Sequence, residues 1–118
     1  MYENLPIYRK AIEINVYIEE MVRAFSRYHK YAIGSELRAK AREIIYAIPK
    51  VFYTDNKKEA LVALRDRVEE LKILIYLSKE LKVLKNFRQF EVLSKLAREL
   101  ARQAQGWLGS QNLLSQRG

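Results

Sequence analysis

Cysteine is absent from these 118 residues. That gap removes disulfides, thiolate nucleophiles and Cys-ligated metals, and it fits a reducing compartment. Histidine occurs once, at His29, between Tyr28 and Lys30. A lone histidine near the end of a helical segment reads as a partner for the helix dipole before it reads as a general base. No Glu-x-x-His pair exists to build a carboxylate metal site in a helical bundle. The adjacent pairs Glu19-Glu20 and Glu69-Glu70 splay around a helix and do not converge. Glycine-rich phosphate loops are missing too, both Gly-x-Gly-x-x-Gly and the type ending in Gly-Lys-Ser/Thr. No catalytic residue, cofactor or metal ligand is therefore expected. No apolar run approaches the ~18 residues that a membrane helix needs. The opening Met1 to Pro6 has no basic stretch leading into an apolar one, so no secretory signal is expected and the chain is placed in the cytoplasm.

Proline and glycine are also scarce, at two and four residues, and strand-like alternation is missing. What remains is helical periodicity. Ile7, Ala11, Ile14, Ile18, Met21, Phe25 and Tyr28 recur at steps of four and three, which only a helix places on one stripe. This predicts a first helix from about Pro6 to Tyr28, with Pro6 in the tolerant first turn and Asn4 or Leu5 as the cap. Leu37, Ala41, Ile44, Ile48 and Phe52 predict a second, from about Ala32 to Tyr53. Pro49 is expected to kink it or to end it near Ala47. Gly34 is either a start signal or a close-packing point.

Leu61, Leu64, Val68, Leu71, Ile75 and Ser78 predict a third helix over about Lys57 to Leu84, with a second stripe at Leu74, Leu77, Leu81 and Leu84. Asn56 with Glu59 reads as its capping box. Phe90, Leu93, Ala97, Leu100, Ala104 and Trp107 predict a fourth, from about Phe87 to Trp107, capped by Asn86 with Gln89 and closed by Gly106 and Gly109. The expected fold is all-α, an antiparallel up-down four-helix bundle over residues 1–109, followed by a polar, flexible tail at 110–118. The third helix and the first, widened by Tyr8, Ile12, Val16 and Tyr17, carry more apolar surface than one stripe. That surplus serves either subunit contact or a large core.

Charge is the other feature present in excess. Lys and Arg number 22 against 14 Asp and Glu, a net +8, and residues 57–118 hold most of it. Lys72, Lys79, Lys82 and Lys85 follow 7-3-3 spacing on the third helix, and Arg88, Lys95, Arg98 and Arg102 follow 7-3-4 on the fourth. Two such stripes joined by a short turn suit a phosphate backbone, with no implied reading of base sequence. The competing reading is a solvated face with i,i+4 neighbours such as Glu91 and Lys95. Among the eight tyrosines, Tyr28, Tyr31 and Tyr53 could stack on unpaired bases, but packing at the core edge is the preferred reading.

Several segments carry a resemblance. Leu5-Pro6-Ile7-Tyr8-Arg9-Lys10 opens the first helix, and Tyr31-Ala32-Ile33-Gly34-Ser35-Glu36-Leu37 opens the second. Leu71 to Leu81 lies in the third, Gln89-Phe90-Glu91-Val92-Leu93 opens the fourth, and Gly106-Trp107 closes it. In order and spacing these resemble the accessory variability determinants of diversity-generating retroelements, over roughly residues 5–108. Those proteins group with the four-helix bundles encoded in 23S ribosomal RNA intervening sequences.

The resemblance implies a homopentameric barrel. It implies a non-catalytic protein that binds a reverse transcriptase and its template RNA, or an RNA/DNA hybrid, and supports mutagenic cDNA synthesis. The intervening-sequence branch shares the fold without that role, so an alternative is a structural bundle with no specific nucleic-acid function. The opening Leu5-Pro6-Ile7-Tyr8 and the basic charge favour the retroelement branch. The Lys79–Arg102 stripes would then be the RNA or polymerase contact, and the wide apolar faces the subunit contact.

Overall fold

A computed structural model describes residues 1–117, with side chains as far as Leu114. After a single 3-10 turn at Tyr2–Asn4 come α1 (Pro6–Arg23), a short α2 (Arg27–Tyr31), α3 (Ile33–Tyr53), α4 (Lys57–Glu80) and α5 (Phe87–Arg117). No strand occurs among the described residues. The four long helices form one elongated bundle, 52 × 21 × 21 Å, in which α1 packs on α3 and α5, and α4 packs on α3 and α5.

Most of the predicted stripe residues are in the core, though Leu77 and Leu81 of the second α4 stripe are exposed, and Val22, Ile33, Val51, Leu96 and Leu108 are buried without lying on a predicted stripe. Ile14, Ile18, Leu37, Ile44, Ile48, Leu61, Leu64, Leu71, Leu93 and Leu100 have no exposed surface. Each large side chain so buried contributes about 1.5–3 kcal/mol. Ser78, placed on the α4 stripe by spacing alone, is fully buried, and its hydroxyl donates to the Leu74 carbonyl at 2.8 Å. That bond is what lets a polar side chain sit in an apolar seam.

Both predicted asparagine caps form. Asn56 Oδ1 accepts from the Glu59 N–H at 3.1 Å, and Asn56 Nδ2 donates to Glu59 Oε2 at 2.9 Å. Asn86 Oδ1 accepts from the Gln89 N–H at 3.0 Å, while Gln89 Oε1 reaches back to the Lys85 N–H at 2.8 Å. In each, the asparagine satisfies one backbone donor that the first helical turn leaves without a partner, and the reciprocal bond goes to the Asn56 side chain or to the Lys85 N–H instead of the cap N–H.

Helix ends differ from expectation in four places, each for a local reason. The first helix stops at Arg23, because Ser26 is extended and caps α2, accepting from the His29 N–H. Phe25 is still buried, but Tyr28 is carried out to 77% exposure. The second helix runs through Pro49 to Tyr53 without ending or restarting. Contacts beyond the proline hold that last turn: Val51 is buried, and the Phe52 ring packs 5.7 Å from Trp107 and 6.1 Å from Tyr2. Lys57 Nζ also donates to the carbonyls of Val51 and Phe52, at 2.9 and 3.3 Å, where a helix C-terminus favours a cation.

The third long helix ends at Glu80, four residues before Leu84. Lys82 takes a left-handed φ of 60°; its N–H donates to the Lys79 carbonyl and the Val83 N–H to the Ser78 carbonyl. This is a Schellman stop, with lysine in the position where glycine is usual. The fourth helix passes through Gly106 and Gly109 to Arg117, so most of the expected flexible tail is helical. Neither glycine has positive φ, and a glycine closes a helix only when it turns left-handed. The end of the expected tail, Gly118, lies outside the described residues.

Gly34 proves to be a close-packing point. A Cβ there would lie 2.8 Å from Val22 Cγ1 and 3.0 Å from the His29 carbonyl oxygen. The absent side chain is what lets the start of α3 approach the end of α1.

Candidate nucleic-acid interface

Ion pairs sort the basic residues into two populations. On α3 and the first half of α4, Arg38, Lys40, Arg42, Arg65 and Arg67 are paired, while Lys50 and Lys58 have no carboxylate partner among the described residues. Glu19 accepts from Arg38 at 3.0 Å and Arg42 at 2.7 Å. Lys40 meets Glu43 at 2.7 Å and Glu70 at 3.4 Å, and Arg67 also bonds Glu70. The Glu70 carboxyl is held below the usual carboxylate range, first by the Arg67 hydrogen bond and then by Lys40.

The predicted stripes behave differently. Lys72 pairs with Glu69 at 3.3 Å. Lys79, Lys82, Lys85, Arg88, Lys95, Arg98 and Arg102 have no carboxylate within 4.0 Å among the described residues. The i,i+4 pair offered as the bland reading, Glu91 with Lys95, does not form. Glu99 turns away to Lys10 on α1 at 2.9 Å, which keeps its carboxyl below the usual range.

The eight residues do not form one straight stripe, because α4 ends before Lys82 and Lys85. Lys79 closes α4, Lys82 and Lys85 lie in the turn, and Arg88 opens α5, so these four gather at one end of the bundle. Lys72 and Arg98 face each other across the cleft between α4 and α5. Lys95 and Arg88 line the groove between α5 and α1, beside Glu13 and Glu91. Arg102 is exposed seven residues beyond Lys95, which places it on the same helix face.

The left-handed Lys82 marks this end as strained. A side-chain-bearing residue there costs about 1–2 kcal/mol relative to glycine. Lys82→Gly is accordingly expected to raise stability by about 1 kcal/mol, read by urea unfolding. A loss of stability would mean that the lysine side chain serves the fold.

Sequence reasoning missed the aromatic side chains beside these cations. Lys79 Nζ lies 5.5 Å from the Tyr76 ring centroid and 5.0 Å from that of Phe90. Phe90 stacks on Phe87 at 5.6 Å, and Phe87 is 59% exposed. The available signal was the i,i+3 spacing of Tyr76 with Lys79 and of Phe87 with Phe90. Tyr28, Tyr31 and Tyr53 are the converse case: core-edge packing was preferred for them, and all three are strongly exposed. They sit at helix ends, where the stripe no longer faces a neighbour.

A cavity of about 490 Å³ opens at the other end of the bundle between Pro6, Val51, Phe52 and Trp107. Its one cation, Lys57, is committed to backbone carbonyls, so this cavity offers nothing to a phosphate. His29 packs edge-to-face on Tyr28 at 5.1 Å in the last turn of α2, with no acidic partner among the described residues. No group of three or more potential metal ligands occurs among the described residues, and no helix there is long and apolar enough to cross a membrane.

In comparisons with known proteins the chain matches no family model and no curated sequence.

Proposed function

We propose that this protein is a non-catalytic RNA-binding module whose contact surface is the basic end and outer face of α4 and α5. The single observation that carries the reading is the density of free charge: from Lys79 to Arg102 seven cations have no carboxylate within 4.0 Å among the described residues, and Lys79, Lys82, Lys85 and Arg88 gather at one end of the bundle, whereas the other cations without a carboxylate partner are spread over α1, α2, α3 and the start of α4. Unpaired, exposed cations keep counterions condensed on a nucleic acid from rebinding, and that release drives association. With the sequence resemblance, the proposal extends to a reverse transcriptase as protein partner and to its template RNA as the nucleic acid.

A second surface supports assembly. Ile12 and Val16 on α1, and Ile73, Leu77 and Leu81 on α4, remain exposed, with Ile73 at 67%. All but Ile73 are surplus apolar positions of the two wide faces, and a single bundle core does not use them. They suit contact between copies, for which the resemblance supplies five as the number.

Titration of the protein into fluorescent template RNA at several salt concentrations, with the mass measured by light scattering, tests both parts. A steep fall of affinity with salt and an oligomeric mass are expected. An oligomer that ignores RNA at low salt would instead favour the intervening-sequence type of bundle, with a structural role.

A further inference from the structure

Resting on that reading, we infer that the cleft between α4 and α5 receives an unpaired nucleobase, so that the protein prefers single-stranded to duplex RNA. The cleft has a volume of about 230 Å³. That is below the ~300–1,000 Å³ of pockets for drug-sized ligands, and suits a single planar ring system. Its walls come from two helical rows. Phe90, Ser94 and Ala97 lie at i, i+4 and i+7 on α5, and Lys72 and Tyr76 at i and i+4 on α4. Ser94 and Ala97 are small, so the facing helices leave a gap. Tyr76 and Phe90 are large and bound it with rings.

Charge decides what enters. Lys72 and Arg98 stand at the cleft, and Lys79 is held over both Tyr76 and Phe90. Lys82 and Lys85 follow in the adjoining turn. A ring slot rimmed by cations matches a planar base attached to a phosphate. It does not match an apolar helix, which would gain nothing from the charge. Tyr76 is 56% exposed and Phe87 59%, so ring surface is open to a second stacked base beyond the first. Glu80 acts on the Tyr76 hydroxyl and raises its pKa, so its carboxylate sits at the hydroxyl edge of that ring.

Bases within an A-form duplex are stacked on one another and present no free face to such a slot. Unpaired bases do, and stacking on aromatic side chains is tolerant of sequence. Discrimination between strand states therefore follows from the rings, while the cations bind either form.

The test compares an unstructured single-stranded RNA with a fully paired duplex of equal strand length, by anisotropy at fixed salt. Wild type is expected to bind the single strand more tightly. Tyr76→Ala and Phe87→Ala should each weaken single-strand binding roughly ten-fold, as loss of one stacked base does, and leave duplex binding unchanged. Tyr76→Phe should behave as wild type, since stacking needs the ring and not the hydroxyl. Both variants alter exposed side chains, and matched melting curves establish that they fold. Equal losses on both RNAs, or no loss on either, would overturn the base slot. Salt-steep binding to both RNAs that ignores Tyr76 would overturn it while leaving the RNA-binding reading in place. Failure to bind any RNA at low salt would remove both.

Discussion

Replacing Lys82, Lys85, Arg88 and Arg98 together by alanine is expected to weaken RNA binding about 10²- to 10³-fold near physiological salt. The magnitude follows from counterion release. Each phosphate neutralised on a single strand contributes about 0.7 to the slope of log affinity against log salt, so losing four contacts should lower that slope by about 3. The fold should survive. All four side chains are exposed and none has a carboxylate partner among the described residues, so their removal breaks no ion pair. Surface changes away from such features usually stay within about 0.5 kcal/mol of wild type.

The informative control removes the same formal charge from the other population. Arg38, Lys40, Arg42 and Arg67 are ion-paired on α3 and α4. Changing those four to alanine is expected to leave RNA affinity within a few-fold of wild type and to affect stability more. Equal losses in the two quadruple variants would mean that net charge binds RNA without a defined face, and the assignment to α4 and α5 would fall.

The parts of this molecule legible in its sequence are those set by periodicity. Steps of three and four apolar residues identified the core from Ile7 to Ala104, and even Ser78 was placed correctly, because position on a helix is geometric and indifferent to residue type. Caps at Asn56 and Asn86 were legible because a side-chain acceptor three residues ahead of a Glu or Gln has one obvious use. Helix ends were less legible, because they depend on tertiary contacts or on backbone conformations that residue type does not reveal. Lys82 adopts a left-handed φ that sequence assigns to glycine, while Gly106 and Gly109 decline it. Pro49 is overruled by the packing of Val51 and Phe52.

The candidate site divides the same way. Spacing found the eight basic residues, since exposed cations on a helix need nothing more than their position. It joined Lys82 and Lys85 to the wrong element, because the stop after Glu80 was hidden. It also preferred a packed role for Tyr28, Tyr31 and Tyr53, passed over Tyr76 and Phe87, and read Phe90 only as part of the core stripe. Whether a ring is open or covered depends on which neighbour faces it, and that is decided across helices.

Two glycines in this chain are expected to respond to alanine with opposite signs, a difference of about 2–3 kcal/mol in unfolding free energy. At Gly106 the added methyl meets nothing within 4 Å, and the residue lies inside α5. Alanine there gains helix propensity, about 1 kcal/mol relative to glycine. At Gly34 the methyl would press on Val22 Cγ1 and on the His29 carbonyl oxygen. Val22 is β-branched, buried and stiff at χ1, and the carbonyl is backbone, so neither yields easily. Overpacking of this kind costs about 1–3 kcal/mol, and the propensity gain in a first turn offsets only part of it. For a domain of about 100 residues, 1 kcal/mol moves Tm by roughly 4–8 °C, so thermal melts resolve both shifts. Stabilisation by Gly34→Ala would mean that α1 and α3 do not approach closely at that point. A neutral or destabilising Gly106→Ala would mean that the helix ends there, as the glycine pattern alone suggests, and that residues beyond it contribute nothing to the bundle.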